Sequence, residues 1–227
     1  MKEEEAKDRG IDLEPLKEEQ KKFAKLVSLK DGFDFKNCTR FAGIVTETLK
    51  TRELIAAIAI LDENMQVIES KYTIKPAKFP YIPCFRAYRE LPVILSMYDK
   101  IEDQPDVIFI LGHGVSHPRG CGIASHLGIS LEKPVIGVTK SLMADQESKD
   151  SGNKEKNDEV LIGKKVVAKK MITKEKANPI YISPGNLISL KTAMEVTKRC
   201  VRDPHKLPEP IVEARKVITK VREELNL

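Results

Sequence analysis

Four segments of the chain end an apolar run with glycine or polar residues: FAGIVTET, FILGHGVSHPRG, VIGVTKS and IYISPGN. A fifth polar cluster, YIPCFRAYRE, opens a helical stretch. In an open α/β sheet such strand ends converge, and ligands gather beyond them. Several residue types in these segments can do chemistry. Glu90 is either a metal-binding carboxylate or an ordinary helix carboxylate. His113 and His117 stand four apart, a ligand spacing on a helix, but in a glycine-rich loop that spacing fixes nothing. The glycines of GHGVSHPRG, Gly112 and Gly114 among them, either present backbone N–H groups to a phosphate or make a tight turn. Lys140, after a buried run, neutralises a phosphate or snorkels to solvent. The Lys-rich 164–176 segment reads as a solvated hairpin before it reads as a nucleic-acid footprint.

The elements that must position these residues follow from periodicity. FAGIV (Phe41–Val45), LIAAIAIL (Leu54–Leu61) and VIESKYTI (Val67–Ile74) read as strands, the second apolar enough to be buried on both faces. Asp62-Glu63-Asn64 is a turn between the last two. A helix is expected from about Cys84 to Ile101, with Pro92 limiting or kinking it. DVIFILG and PVIGVTK are buried strands flanking a short helix, ASHLGIS. Val160–Ile162 and Lys165–Ile172 flank the turn Gly163-Lys164, IYISPG is a further strand, and Ser189–Val201 and Glu209–Leu225 are helices. An amphipathic helix begins near Asp12, a capping residue. Residues 1–11 read as a charged, frayed tail and 145–158 as a flexible loop, leaving 12–227 as one domain. An antiparallel set followed by alternating strands and helices predicts an α/β fold, a central mixed sheet with helices on both faces.

Composition excludes several classes. With 41% apolar and 32% charged residues the chain is not disordered. No apolar run approaches the ~20 residues of a membrane span, and MKEEEAKDRG does not read as a signal peptide, so no membrane partner is expected. A net charge of +5 permits a nucleic-acid partner without demanding one. The absence of Trp argues against a stacking-based single-strand binder. The four cysteines are irregularly spaced and read as reduced thiols of a cytoplasmic protein.

Taken together, YIPCFRAYRELP, GHGVSHPRGCGIASHLGI, KPVIGVTKSL, NPIYISPGN and KLPEP resemble the endonuclease V family in order and spacing, over nearly the whole chain from about Asp12 to Leu225. The resemblance implies a ribonuclease H-like fold and Mg²⁺- or Mn²⁺-dependent cleavage of a strand near a deaminated adenine, with DNA or RNA as partner. It also implies roles. Tyr81 and Pro83 belong to a loop that wedges the strand. Gly112, Gly114 and the turn Ser183–Gly185 surround an extruded base. His117 and Lys140 are retained site positions.

At the metal positions the chain departs from the pattern. The first-strand acid is replaced by Val45, the acid opening the glycine turn by Leu111, and the position after LPEP by Arg215; Glu90 alone is kept. Valine and leucine offer no lone pair to a hard cation, so no cofactor is expected at the family site. A displaced cluster is conceivable: Glu47 lies one alternation (~6.6–6.8 Å) beyond Val45 on the same strand face. His113 lies two positions beyond Leu111. With Glu90 these residues could hold Mn²⁺ or Zn²⁺. Three readings follow: a monomeric nucleic-acid-binding family member that has lost cleavage, a working nuclease with a remodelled site, or an interaction protein with a vestigial groove.

Overall fold

The computed structural model describes residues 1–143, 158–175 and 177–227. Eight strands among them form one mixed sheet: β1 (Phe41–Thr48), β2 (Glu53–Leu61), β3 (Val67–Pro76), β4 (Val107–Leu111), β5 (Val135–Thr139), β6 (Glu159–Ile162), β7 (Lys165–Met171) and β8 (Ile180–Asn186). Their spatial order is β3-β2-β1-β4-β5-β8-β7-β6. The central neighbours β1, β4 and β5 are parallel, and the flanking pairs are antiparallel. Six α-helices among the described residues accompany the sheet: α1 (Glu3–Asp8), α2 (Glu14–Leu26), α3 (Arg86–Tyr98), α4 (Ile123–Leu131), α5 (Leu190–Cys200) and α6 (Glu209–Leu225). No helix among the described residues is long and apolar enough to cross a membrane.

The central strands are apolar on both faces because both are covered. Ile44, Ile108 and Ile110 pack with Ile94 and Met97 of α3 and Leu127 of α4. The alternate residues, Val45, Phe109 and Val138, pack with Val196 of α5 and Ile211, Ala214 and Ile218 of α6. Each such side chain contributes roughly 1.5–3 kcal/mol by leaving water, so these two layers hold the parallel strand ends in place. At Gly43 the start of α6 rests directly on β1. A Cβ there would lie 2.0 Å from the Pro210 carbonyl carbon and 2.4 Å from the Ile211 nitrogen.

Three expectations need correction. The N-terminal tail is not frayed over its whole length. Glu3–Asp8 form a helix whose Ala6 is fully buried with Leu13, Ile82 and Phe85; one apolar residue in a charged turn suffices. Ser183–Gly185 is not a turn but the body of β8. Pro184 is tolerated there because it pairs with Ile136 beside a register shift. The first strand runs three residues beyond Val45, to Thr48. The expected flexible loop 145–158 lies, apart from Asp158, outside the described residues.

Candidate functional site

Parallel pairing brings the carboxyl ends of β1, β4 and β5 to one edge. Ile44 pairs with Ile110, and Leu111 with Val138, so Val45 and Leu111 sit side by side. Both point into the apolar layer under α5 and α6; Val45 is only 2% exposed. Arg215 approaches from α6, one turn beyond the buried Ile211. Its Nε is buried with no hydrogen-bond partner among the described residues.

Glu90 reaches the same edge from α3 and is buried. Its charge is taken by Arg86, one helical turn earlier, whose Nε–H donates to Glu90 Oε1 at 2.6 Å. The guanidinium also donates from Nη1 to the Leu111 carbonyl at 2.7 Å and from Nη2 to Thr46 Oγ1 at 3.2 Å. The Thr46 hydroxyl donates in turn to Glu90 Oε2. A fixed cation thus ties α3 to the ends of β1 and β4. Room for it depends on Gly112, where a Cβ would come within 3.3 Å of Arg86 Nη1 and 2.3 Å of Ile123 Cγ2.

The glycine loop after β4 packs backbone against backbone on β8. A Cβ at Gly114 would stand 2.1 Å from the Pro184 oxygen, which accepts from Val115 N–H at 2.9 Å. Gly185 meets Ala124 in the same manner, at 2.6 Å. Ser183 Oγ accepts from Ser116 N–H at 3.0 Å and donates to the Val167 carbonyl at 2.9 Å. These four expected base-contact positions, Gly112, Gly114, Ser183 and Gly185, are therefore brought together, and each is already used in packing. Between this loop and α3 lies a cavity of about 60 Å³, lined by Gln20, Cys84, Arg86, Gly112, His113 and His117 among others. That is room for about two waters, less than an extruded purine needs without widening.

His117 has both ring nitrogens engaged. Nδ1 accepts from Arg119 N–H at 3.2 Å, so the proton sits on Nε2 and is donated to the Cys84 carbonyl at 3.1 Å. Burial, with the Arg119 charge adding to it, lowers its pKa to about 3. His113 shares a hydrogen bond with Ser116 Oγ at 3.0 Å, and burial plus the Arg86 charge lowers it to about 4. Both imidazoles are neutral at pH 7 and serve as structural pins.

At the rim stand Tyr81, 57% exposed, the exposed Pro83 and the exposed Lys140. Tyr81 is held by its neighbours. Ile82 is fully buried, and Arg89 Nη1 on α3 donates to the Phe79 carbonyl at 2.8 Å. The Lys140 pKa is lowered by partial burial and then by Arg215 and Lys206, which places three cations near the end of β5.

The family model described as Endonuclease V matches residues 21–216. The chain belongs to the endonuclease V family. It is 35% identical over 218 residues to an endonuclease V of Rippkaea orientalis, covering 95% of this chain and 93% of that relative. With the Thermosipho melanesiensis endonuclease V it shares 37% identity over 172 residues, 76% of each chain. The structure of the catalytic domain of human endonuclease V superposes with a TM-score of 0.85 at 25% identity, covering 95% of this chain and 98% of that one. A Ciona intestinalis endonuclease V bound to a 24mer DNA containing an inosine followed by a ribo-adenosine superposes at 0.82, with 25% identity and coverage of 93% and 98%. The expected ribonuclease H-like α/β fold is that of the endonuclease V structures.

The residues that the sequence resemblance sets at metal positions do not offer a divalent ion a set of ligands. Val45 belongs to the core with the partly buried Leu111 packed against it, Arg215 is a cation, and the carboxylate of Glu90 is paired with Arg86. The displaced cluster is not assembled either. Glu47 pairs with Arg222 of α6 at 3.3 Å, Glu90 with Arg86, and His113 with Ser116. Among the described residues no three His, Cys, Asp or Glu side chains gather as a metal-binding group. The strand alternation holds, but α6 supplies a guanidinium on that face, and it takes the Glu47 charge. Arg86 is the site residue that sequence reasoning misses. Its signal is the i,i+4 spacing to Glu90 on one helix face.

Proposed function

We propose that this endonuclease V-family chain binds DNA or RNA strands that are distorted or carry inosine, and that it has lost metal-dependent cleavage. The observation that carries the reading is the Arg86–Glu90 pair: the one acid kept among the metal positions is bound to a guanidinium at 2.6 Å. A divalent ion would have to displace a charge-assisted hydrogen bond and would find no second carboxylate. When bound in a nuclease of this kind, such an ion supplies activated water and clamps the attacking and leaving oxygens. Nothing among Val45, Leu111 and Arg215 replaces that chemistry.

Binding needs none of it. Lys140 and the exposed hairpin lysines Lys164 and Lys165 neutralise phosphates, a contribution independent of sequence. Tyr81 on its anchored loop offers a ring to the gap in a distorted strand. The Ciona protein's complex with inosine-containing DNA supports this choice of ligand class. Base readout in the 60 Å³ cavity requires it to widen. The test is one pair of assays on inosine-containing DNA and RNA: cleavage with Mg²⁺ and separately Mn²⁺, and binding in EDTA. Binding without cleavage is expected. Robust turnover with either ion overturns the reading.

A further inference from the structure

β3 closes one edge of the sheet. It is ten residues long, and among the described residues only β2 pairs with it. Alternate backbone N–H and C=O groups along its outer side are therefore left without a strand partner. Such a row is a template for another chain, and proteins usually blunt it with short strands, lysines or bulges. At β3 these devices are weak. Lys71 is turned onto its own chain, with Nζ 3.3 Å from Glu69 and 3.6 Å from Glu102. Lys75 Nζ donates to Ser96 Oγ on α3. The one register shift against β2 falls at Ile68, near the start of the strand, and Glu69–Pro76 run on without a break. The edge also carries apolar side chains in water: Val67 is 47% exposed, and Ile68 and Tyr72 are each 42% exposed.

Read against itself in reverse, the strand is complementary. Opposed residues must share a sheet face, and faces alternate along a strand. A two-fold axis between two copies therefore passes through a residue position. Centred on Glu69 or Lys71, the axis sets that charge against itself. Centred on Thr73, it sets Lys71 against Lys75. Centred on Tyr72, it matches Glu69 with Lys75 but faces Ile68 with Pro76, which has no N–H to give. Centred on the small, exposed Ser70, it sets Glu69 against Lys71 and Ile68 against Tyr72, each pair occurring twice. Opposite charges and aromatic–β-branched pairs are the cross-strand contacts that stabilise antiparallel sheets.

We propose that β3 is a homodimer edge: it pairs antiparallel with β3 of a second copy about Ser70, and the two eight-stranded sheets become one. The occupant of the edge is this chain itself, in place of the monomer expected from the sequence. The two-fold makes the contact isologous, so it uses up the edge on both chains and stops at two. It also leaves the strand ends open. β3 runs parallel to β1, because β2 is antiparallel to both. In the second copy β1, β4 and β5 therefore run the opposite way, and their carboxyl ends open on the opposite edge of the shared sheet. The pairing does not depend on the nucleic-acid reading above.

The experiment is sedimentation equilibrium of the full chain, without nucleic acid, from about 1 to 100 µM, the range expected of a small interface. The mass should rise to twice that of the monomer and no further. Lys71→Glu sets glutamates opposite each other at two places and should weaken the dimer about tenfold. An equal mixture of Lys71→Glu and Glu69→Lys restores opposite charges at both places and should dimerise as wild type does. Glu69 also accepts from the Glu102 and Asp103 N–H groups of its own chain. Should Glu69→Lys fail to fold for that reason, Ser70→Cys decides. Oxidation with diamide should link two Ser70→Cys chains through a disulfide across the axis, and should leave Lys75→Cys and wild-type chains unlinked. A wild type that stays monomeric at the highest concentration overturns the proposal. So does a folded Lys71→Glu protein that dimerises unchanged, a mass that climbs past two, or linkage of Tyr72→Cys chains where Ser70→Cys chains stay apart.

Discussion

The imidazole of His117 and the carbonyl of Cys84 lie 3.1 Å apart, and the contact constrains both partners. Cys84 has a φ of 67°, a left-handed backbone uncommon for a residue with a side chain. Its carbonyl is held by three donors: His117 Nε2, Gln20 Nε2 and Arg119 Nη2. A neutral imidazole is therefore part of the loop that carries Tyr81, and protonation would put a charge into a buried site.

Stability should fall on acidification from pH 7 to 5. Burial is the first cause of the lowered pKa at His113 (about 4), His117 (about 3) and His126 (about 4), against an ordinary 6.5. Between 6.5 and those values the unfolded chain binds more protons than the folded one. Stability is then complete above 6.5 and lost as pH falls, by about 1.4 kcal/mol per pH unit for each histidine. Thermal scans across this range should show the decline, and His117→Asn should flatten it by about one histidine's share. An unchanged slope in that variant would mean the imidazole titrates normally.

Metal ions should not stabilise the protein. A ligand that binds only the folded state raises the melting temperature with its concentration. Mg²⁺ or Mn²⁺ should leave Tm where EDTA leaves it. A dose-dependent rise would show that the Arg86–Glu90 pair yields to a divalent ion.

Tyr81→Ala should leave Tm nearly unchanged, since the ring is exposed and surface substitutions cost within about 0.5 kcal/mol. It should weaken binding to an inosine-containing or mismatched strand by roughly 1–3 kcal/mol, the worth of one stacking contact. Competition between distorted and regular strands reads the difference. Equal loss on both would remove the wedge role.

Gly114→Ala should destabilise by about 3 kcal/mol, because overpacking against backbone cannot relax by a rotamer change. Denaturant unfolding checks it. A wild-type midpoint would mean the loop and β8 separate easily.

The fold is legible in the sequence where burial is two-sided. LIAAIAIL, VIFIL and PVIGVT have no polar face, and each is an interior strand of the sheet. Where the physics is local and polar, the pattern misleads. Thr46–Thr48 continue β1 although their side chains leave the core. Ser183–Gly185 look like a turn because the bulge that tolerates Pro184 depends on Ile136, far away in the chain. At the site, the departure from the resembled pattern is visible in the sequence as Val45, Leu111 and Arg215. The guanidinium network is not, because Arg86 is one basic residue among several in YIPCFRAYRE and its partners, Thr46 and the Leu111 carbonyl, come from other strands.

The contact of Gly43 with Pro210 and Ile211 has a bearing on how this family diverges. With no side chain between β1 and the start of α6, their separation is set by backbone atoms and cannot be tuned by repacking. Arg215 follows Pro210 by five residues, about 7.5 Å along a helix so anchored, and its distance from Val45 is inherited with the anchor. Residue identities at such a socket are free to drift while the socket keeps its dimensions. A TM-score of 0.85 at 25% identity is the expected result, and ancestry read from shape alone would not register which side chains stand at the strand ends.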